Sequence, residues 1–194
     1  MKILGVSGSL RRDSYNTRLL EAAAELLPEG VAFELFHCLK AVPPYDQDDD
    51  VEPAPEAVAR LRSTFAAADA VLFATPEYNS SIPGVLKNAI DWASRPLMTN
   101  PLRFKPVAVA GASTGAFGAV WAQDELRKVL GALGARVIEG AVPVGHAPTR
   151  FDESGKLTDG EIAGQLAELV QSLVDAVEER RSSASPEAAV APAV

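Results

Sequence analysis

Cysteine is almost absent: Cys38 is the one cysteine in 194 residues, so no intrachain disulfide can form. No grouping of Cys and His has metal-ligand spacing, and the two histidines, His37 and His146, read as structural or exposed. Positive charge is in deficit, with a net charge of -8 and a pI near 4.8, which gives long-range attraction to nucleic acid or an anionic membrane the wrong sign. No run of about 18 apolar residues occurs, and Met1-Lys2-Ile3-Leu4-Gly5-Val6 turns polar too soon for a secretory segment. A soluble protein of the reducing cytoplasm is expected, without nucleic-acid or membrane partners. Two nucleotide fingerprints are missing as well: neither G-x-G-x-x-G nor G-x-x-x-x-G-K-S/T follows the first strand, which counts against a dinucleotide-binding fold and a nucleoside triphosphatase. There is no internal repeat and no convincing acid-base dyad.

What is present is 47% hydrophobic residues, enough for one sizeable core. Short apolar runs at Lys2 to Ser7, Val31 to His37, Ala70 to Thr75, Pro106 to Gly111 and Arg136 to Ala141 predict five strands. Between them, apolar residues recur at helical spacing around Leu19 to Leu27, Val58 to Phe65, Val85 to Trp92 and Leu126 to Leu133. A long amphipathic helix over Ile162 to Val177 ends the series. This order predicts an α/β three-layer sandwich with a doubly wound five-stranded parallel sheet, whose ligand would sit beyond the carboxyl ends of the strands. One domain is expected over residues 1–180, with a disordered tail over 181–194, where Ser, Ala and Pro dominate without periodicity. The run Asp46-Gln47-Asp48-Asp49-Asp50 reads as a solvated loop. Trp92 lies on a helix whose apolar positions spread over more than one face, so a second burial surface and a homodimer are expected. Cys38 has no activating neighbour and reads as an inert thiol.

Three loops follow strands and precede helices. The first, Gly8-Ser9-Leu10-Arg11-Arg12-Asp13-Ser14-Tyr15-Asn16, brings hydroxyls, an amide and a guanidinium to a helix N-terminus, where unpaired N–H groups and about half a positive charge favour an anion. Arg11 supplies a planar fork suited to phosphate. The competing reading is that Ser14 or Asn16 only caps the helix and Arg11 lies on the surface. The second loop, Pro76-Glu77-Tyr78-Asn79-Ser80-Ser81-Ile82-Pro83-Gly84, offers the Tyr78 ring and backbone donors to a flat heterocycle, with Pro83 placed in the first turn of the next helix. A plain turn with an exposed tyrosine reads equally well. In the third, Gly111-Ala112-Ser113-Thr114-Gly115-Ala116-Phe117-Gly118, glycines allow close approach of a ligand or merely close packing.

Taken together, Gly8-Ser9-Leu10-Arg11 with Ser14 and Asn16, the run Pro76-Glu77-Tyr78-Asn79, and Pro83-Gly84 with Leu86 to Trp92 resemble the NADPH-dependent FMN reductase family, which includes bacterial quinone, chromate and azo reductases. The resemblance covers Met1 to about Arg180 and implies a flavodoxin-like fold. It implies that Ser9, Arg11, Ser14, Tyr15 and Asn16 hold the FMN phosphate and ribityl chain, that Pro76, Glu77, Tyr78 and Asn79 line the isoalloxazine, and that Ser113, Thr114 and Gly115 close its other edge. The implied activity is hydride transfer from NADPH or NADH through bound FMN to a quinone or similar acceptor, with backbone donors from Glu77 to Asn79 near the ring and no catalytic side chain. Assembly as a homodimer or homotetramer is implied as well. Two alternatives stay open: a flavin reductase supplying reduced FMN to a partner monooxygenase, and a flavodoxin-type electron carrier. A cofactor-free interaction protein of the same fold is a third.

Overall fold

Three strands buried on both faces organise the computed structural model, which describes residues 1–184. They are β1 (Lys2–Ser7), β3 (Ala70–Thr75) and β4 (Pro106–Ala112), and every residue of β3 and β4 is buried. Such continuous apolar strands need helices on both sides. The edge strand β2 (Ala32–Leu35) is half exposed. All pairs are parallel, in the order β2, β1, β3, β4 and then a short β5 (Arg136–Val137), with Ile3 opposite Ala70 and Phe73 opposite Val109.

Side chains alternate between two cores, as the period of two requires. Leu4, Val6, Val71, Phe73, Val107 and Val109 pack with Val58, Leu61 and Phe65 of α2 (Glu56–Ala67), Leu86 and Ile90 of α3 (Gly84–Ala93), and Leu126 and Leu130 of α4 (Val120–Ala132). On the other face Ile3, Ala70, Leu72, Ala108 and Ala110 meet Leu19, Leu20 and Ala23 of α1 (Tyr15–Glu25) and Leu166, Leu169, Val170 and Leu173 of α5 (Gly160–Ala184). The doubly wound sheet is therefore flavodoxin-like in strand order.

Several expectations need correction. The second strand pairs only over Ala32 to Leu35, and Phe36 is the last residue to bond β1, through its N–H to the Gly5 carbonyl, leaving His37 outside. The fifth strand is split into β5 (Arg136–Val137) and β6 (Pro143–Val144), both paired with β4. Two more residues lie between these pieces than between their partners on β4, since Val107 faces Val137 while Gly111 faces Pro143. The Arg127 guanidinium fills the gap, donating to the Val109 carbonyl at 3.1 Å and the Gly140 carbonyl at 2.5 Å. Pro83 precedes α3 rather than entering its first turn.

Trp92 is fully buried, but by the chain itself: its Nε1 donates to the Pro43 carbonyl at 2.8 Å, and Tyr45 packs edge-on at 4.9 Å. Its second face therefore carries no argument for another subunit. The acidic run is not wholly solvated either, because the Asp50 carboxylate pairs with Arg62 at 2.7 Å in a partly buried setting. Helix α5 continues through Arg181 to Ala184, where the tail was expected to have begun, and the rest of that expectation, 185–194, lies outside the described residues. Among the described residues, no helix is long and apolar enough to cross a membrane.

Candidate functional site

The connections from β1 and β3 leave the sheet toward opposite faces, α1 on one side and α3 on the other, which opens a crevice beyond the strand ends. The three loops singled out above meet there.

The loop after β1 is braced by its own hydroxyls. Ser9 N–H donates to Ser7 Oγ at 3.3 Å, Arg11 N–H approaches Ser9 Oγ at 3.4 Å, and Thr17 Oγ1 reaches Ser7 Oγ at 3.1 Å. Ser14 caps α1, its Oγ accepting from the N–H groups of Asn16 at 3.2 Å and Thr17 at 3.4 Å. Asn16 is buried and its side-chain amide spans to β4, donating to the Ala112 carbonyl at 3.0 Å and accepting from the Ala112 N–H at 2.9 Å. The reason lies in the sheet. Pairing of β3 with β4 stops at Thr75 and Gly111, and the next residue of the third strand, Pro76, has no N–H to offer. The Asn16 amide takes the place of a strand for one residue. Arg11 is exposed and makes no ion pair among the described residues.

In the loop after β3, Tyr78 and Ser81 exchange backbone hydrogen bonds of 3.0 and 3.1 Å around Asn79 and Ser80, whose φ values are 54° and 59°. Two successive positive φ angles mark a two-residue hairpin turn, a conformation that asparagine tolerates. The Tyr78 N–H is thereby engaged by Ser81 and is not a free donor, which corrects one expectation. Its ring is half exposed. Asn79 sits at the exposed turn and does not line the crevice.

The loop after β4 is locked against residues 143–147. Gly118 adopts φ 59°, and a Cβ there would run into the backbone of Pro143; a Cβ on Gly145 would run into the Ala116 carbonyl. Gly115 accepts from the His146 N–H at 2.9 Å, and Ser113 from the Ala147 N–H at 3.0 Å. Gly115 thus holds the loop in place and does not line the cleft.

Glu77 ties the second and third loops together. Helix α4 begins at Ala119 in the left-handed region, with no side-chain cap of its own, and the Glu77 carboxylate accepts from the Ala122 N–H at 3.1 Å. An acid at a helix N-terminus is favoured by the local dipole. The sequence carried a signal for this: no Ser, Thr, Asp or Asn occupies Phe117 to Ala119, so the helix start needed a cap from elsewhere.

One cleft results, lined by Ser9, Arg11, Ser14, Tyr15, Asn16, Pro76, Glu77, Tyr78, Ser113 and Thr114. Of the expected residues only Asn79 and Gly115 fall outside it, and Ala112 joins it. One end is cationic and rich in donors, the other presents a tyrosine ring and backbone. Such a cleft suits an elongated ligand with an anion at one end and a flat group at the other. His37 and His146 are both exposed and line no part of it.

Comparison with known proteins identifies the family. Residues 1–149 match the family described as NADPH-dependent FMN reductase. The chain is 44% identical over 174 residues to an NAD(P)H-dependent FMN reductase of Pseudomonas aeruginosa, covering 89% of this chain and 93% of that protein. It is 38% identical over 182 residues to a 2-hydroxy-1,4-benzoquinone reductase of a Burkholderia species, covering 93% and 98%. Among solved structures, the flavoenzyme NAD(P)H:(acceptor) oxidoreductase FerB of Paracoccus denitrificans superposes with a TM-score of 0.80 at 37% identity, over 92% of this chain and 97% of that one.

Proposed function

The chain belongs to the NADPH-dependent FMN reductase family, and from that premise we propose that it binds FMN in this cleft and passes reducing equivalents from NADPH or NADH to a quinone or a similar acceptor, such as an azo dye or chromate. The observation that carries the reading is the meeting of the Arg11 guanidinium, the α1 N-terminus and the Tyr78 ring in one cleft at the strand ends. The residues fit FMN. Arg11 has no anionic partner among the described residues, and a Cβ on Gly8 would press on the Leu86 and Pro76 side chains at 3.0 and 3.2 Å, so the start of the first loop stays close to the loop after β3.

FMN, when bound, supplies the hydride-accepting and electron-donating chemistry. The protein's part is binding and orientation. Arg11, with Ser9 and Ser14, holds the phosphate at the start of α1, where a charge-assisted bond contributes roughly 1.5–3 kcal/mol. Tyr15 and Asn16 border the ribityl chain, Asn16 by fixing the end of β4 rather than by donating to the ligand. Pro76 and Tyr78 flank the ring, Ser113 and Thr114 close the far edge, and Glu77, Asn79 and Gly115 hold the loops that carry them. No side chain is needed as an acid, since the Glu77 carboxylate is occupied by α4.

Assembly as a homodimer or homotetramer belongs to the same proposal. Its support now comes from the exposed pair Phe117 and Trp121, 66% and 47% exposed and 5.0 Å apart, which would be covered by a second copy. Light scattering tests it, and a monomer at working concentration overturns it. The near-absence of cysteine supports the cytoplasm as the place of action.

The test of the activity is an anaerobic titration with NADPH after gel filtration. One FMN retained per chain and bleaching of the flavin at a catalytic rate support the proposal, and steady-state rates across quinones, azo dyes, chromate and free FMN then define the acceptor. Loss of FMN on the column with turnover of free FMN favours the flavin reductase alternative. Failure to bleach at all sinks the reductase reading.

A further inference from the structure

Beside the cleft lies a second groove, at the ends of β1 and β2, that the proposed FMN site meets only at Ser9 and Arg11. It is lined by Ser7, Leu10, Arg12, Thr17, Leu35 to His37, Leu39 and Lys40, and it shares Ser9 and Arg11 with the cleft. Two observations set it apart. In a chain of net charge -8, its charged lining is Arg11, Arg12 and Lys40, with the His37 imidazole beside them and no carboxylate. Neither Arg12 nor Lys40 makes an ion pair among the described residues, although the protein has 26 acidic residues available. Its free volume, about 370 Å³, exceeds the roughly 130 Å³ of the cleft. The remaining wall, Leu10, Leu35, Phe36 and Leu39, is apolar. Unpaired cations beside an apolar wall suit a ligand with a phosphate monoester and an aromatic base.

We propose that this groove receives the adenosine half of NADPH, with Arg12 and Lys40 engaging the 2′-phosphate and the apolar wall taking the adenine. The inference rests on the FMN reading, because it deepens the identity of the electron donor. The strand order supports it. The groove lies on β2 and β1 and the ring end of the cleft on β3 and β4, a span on the order of 10–15 Å at normal strand spacing, and the two are continuous through Ser9 and Arg11. A dinucleotide bound at both ends lies across that junction. NADH lacks the 2′-phosphate and gains nothing from Arg12 or Lys40, so the groove makes the chain prefer NADPH.

The experiment compares wild type with the double variant Arg12→Ala/Lys40→Ala, neither residue lying in the FMN cleft. In calorimetry on the FMN-loaded protein, adenosine 2′,5′-bisphosphate is expected to bind wild type about tenfold or more tighter than 5′-AMP, a preference the double variant loses. In steady state, kcat/KM for NADPH falls by roughly tenfold or more while that for NADH stays within about twofold. Equal binding of the two nucleotides by wild type, displacement of the bisphosphate by inorganic phosphate at matching concentration, unchanged NADPH kinetics, or equal losses for both donors would each overturn the groove assignment. FMN affinity, read from quenching of flavin fluorescence, separates the two readings. A wild type that binds no FMN and oxidises neither donor fails at the FMN site, whereas one that turns over both donors with the variant unchanged fails only at the groove.

Discussion

Arg11, in the loop before α1, and Asn16, in its first turn, stand five residues apart and have opposite physical duties. Arg11 is exposed and touches no core, so its removal leaves folding intact; Arg11→Ala is expected to weaken FMN binding by about tenfold or more with an unchanged urea midpoint. Equal FMN affinity in the variant would remove the phosphate role from this residue. Asn16 is buried and satisfies both backbone groups of Ala112, so Asn16→Ala strands a buried N–H and a buried carbonyl. A loss of about 2–3 kcal/mol in folding stability is expected from urea unfolding. The difference between these residues also marks what sequence can reveal. Ser9, Arg11 and Ser14 were legible because helix starts are signalled locally, by residue type and spacing. The Asn16 contact joins positions 96 apart and arises because β3 ends at a proline, a consequence of register that no local pattern encodes.

At the scale of elements, the second and third loops are coupled through α4. Because Ala119 cannot cap this helix, Glu77 does, and Glu77→Ala is expected to cost about 1 kcal/mol while loosening Ser113 to Ala119. Hydrogen exchange at the amides of Val120 to Ala122 reads this directly; unchanged protection there argues that another group caps α4. Gly118 is a harsher test of the same loop. Its positive φ and the backbone of Pro143 both forbid a Cβ, so Gly118→Ala is expected to destabilise by more than the Glu77 variant in the same urea assay. The central strands β1, β3 and β4 were readable because burial on both faces leaves continuous apolar runs. The fifth strand was read too long: Val137 and Ile138 have strand composition, but Glu139, Gly140 and Ala141 do not, and Gly140 takes a positive φ of 117° where the strand breaks. What breaks it is a guanidinium from α4 that satisfies β4 where the strand leaves. Trp92 misled for a related reason. A helix with two apolar faces announces a second partner but does not say whether that partner is another chain or the loop around Pro43 and Tyr45.

At the scale of the molecule, the proposed site and a buried ionisable group lie at opposite ends of the strands. The cleft and the basic groove lie at the carboxyl ends of the strands, whereas the amino ends carry a junction of charged groups. There Asp69, just before β3, accepts from the Lys2 N–H at 2.7 Å and from Arg181 of α5 at 2.9 Å. Lys105, just before β4, is 4% exposed and its ammonium donates to the Ala66 and Ala68 carbonyls at the end of α2. Burial, reinforced by Arg180 and opposed by Asp69, lowers its pKa from 10.5 to about 8. The sign of the consequence follows from linkage. Below pH 8 the amine is charged in both states, and the folded state bears the full cost of keeping a charge out of water. Between pH 8 and 10.5 the folded protein releases the proton while the unfolded chain still holds it, so stability rises with pH. Above 10.5 the gain is complete, at about 3 kcal/mol for a shift of this size. Lys105→Met removes the titration, and the loss of its hydrogen bonds to α2 is independent of pH. The difference in unfolding free energy, wild type minus Lys105→Met, is therefore expected to climb across this window when urea transitions are measured from pH 7 to 10.5. A flat difference would place the Lys105 pKa near that of a free lysine and leave the two carbonyl contacts as its entire contribution.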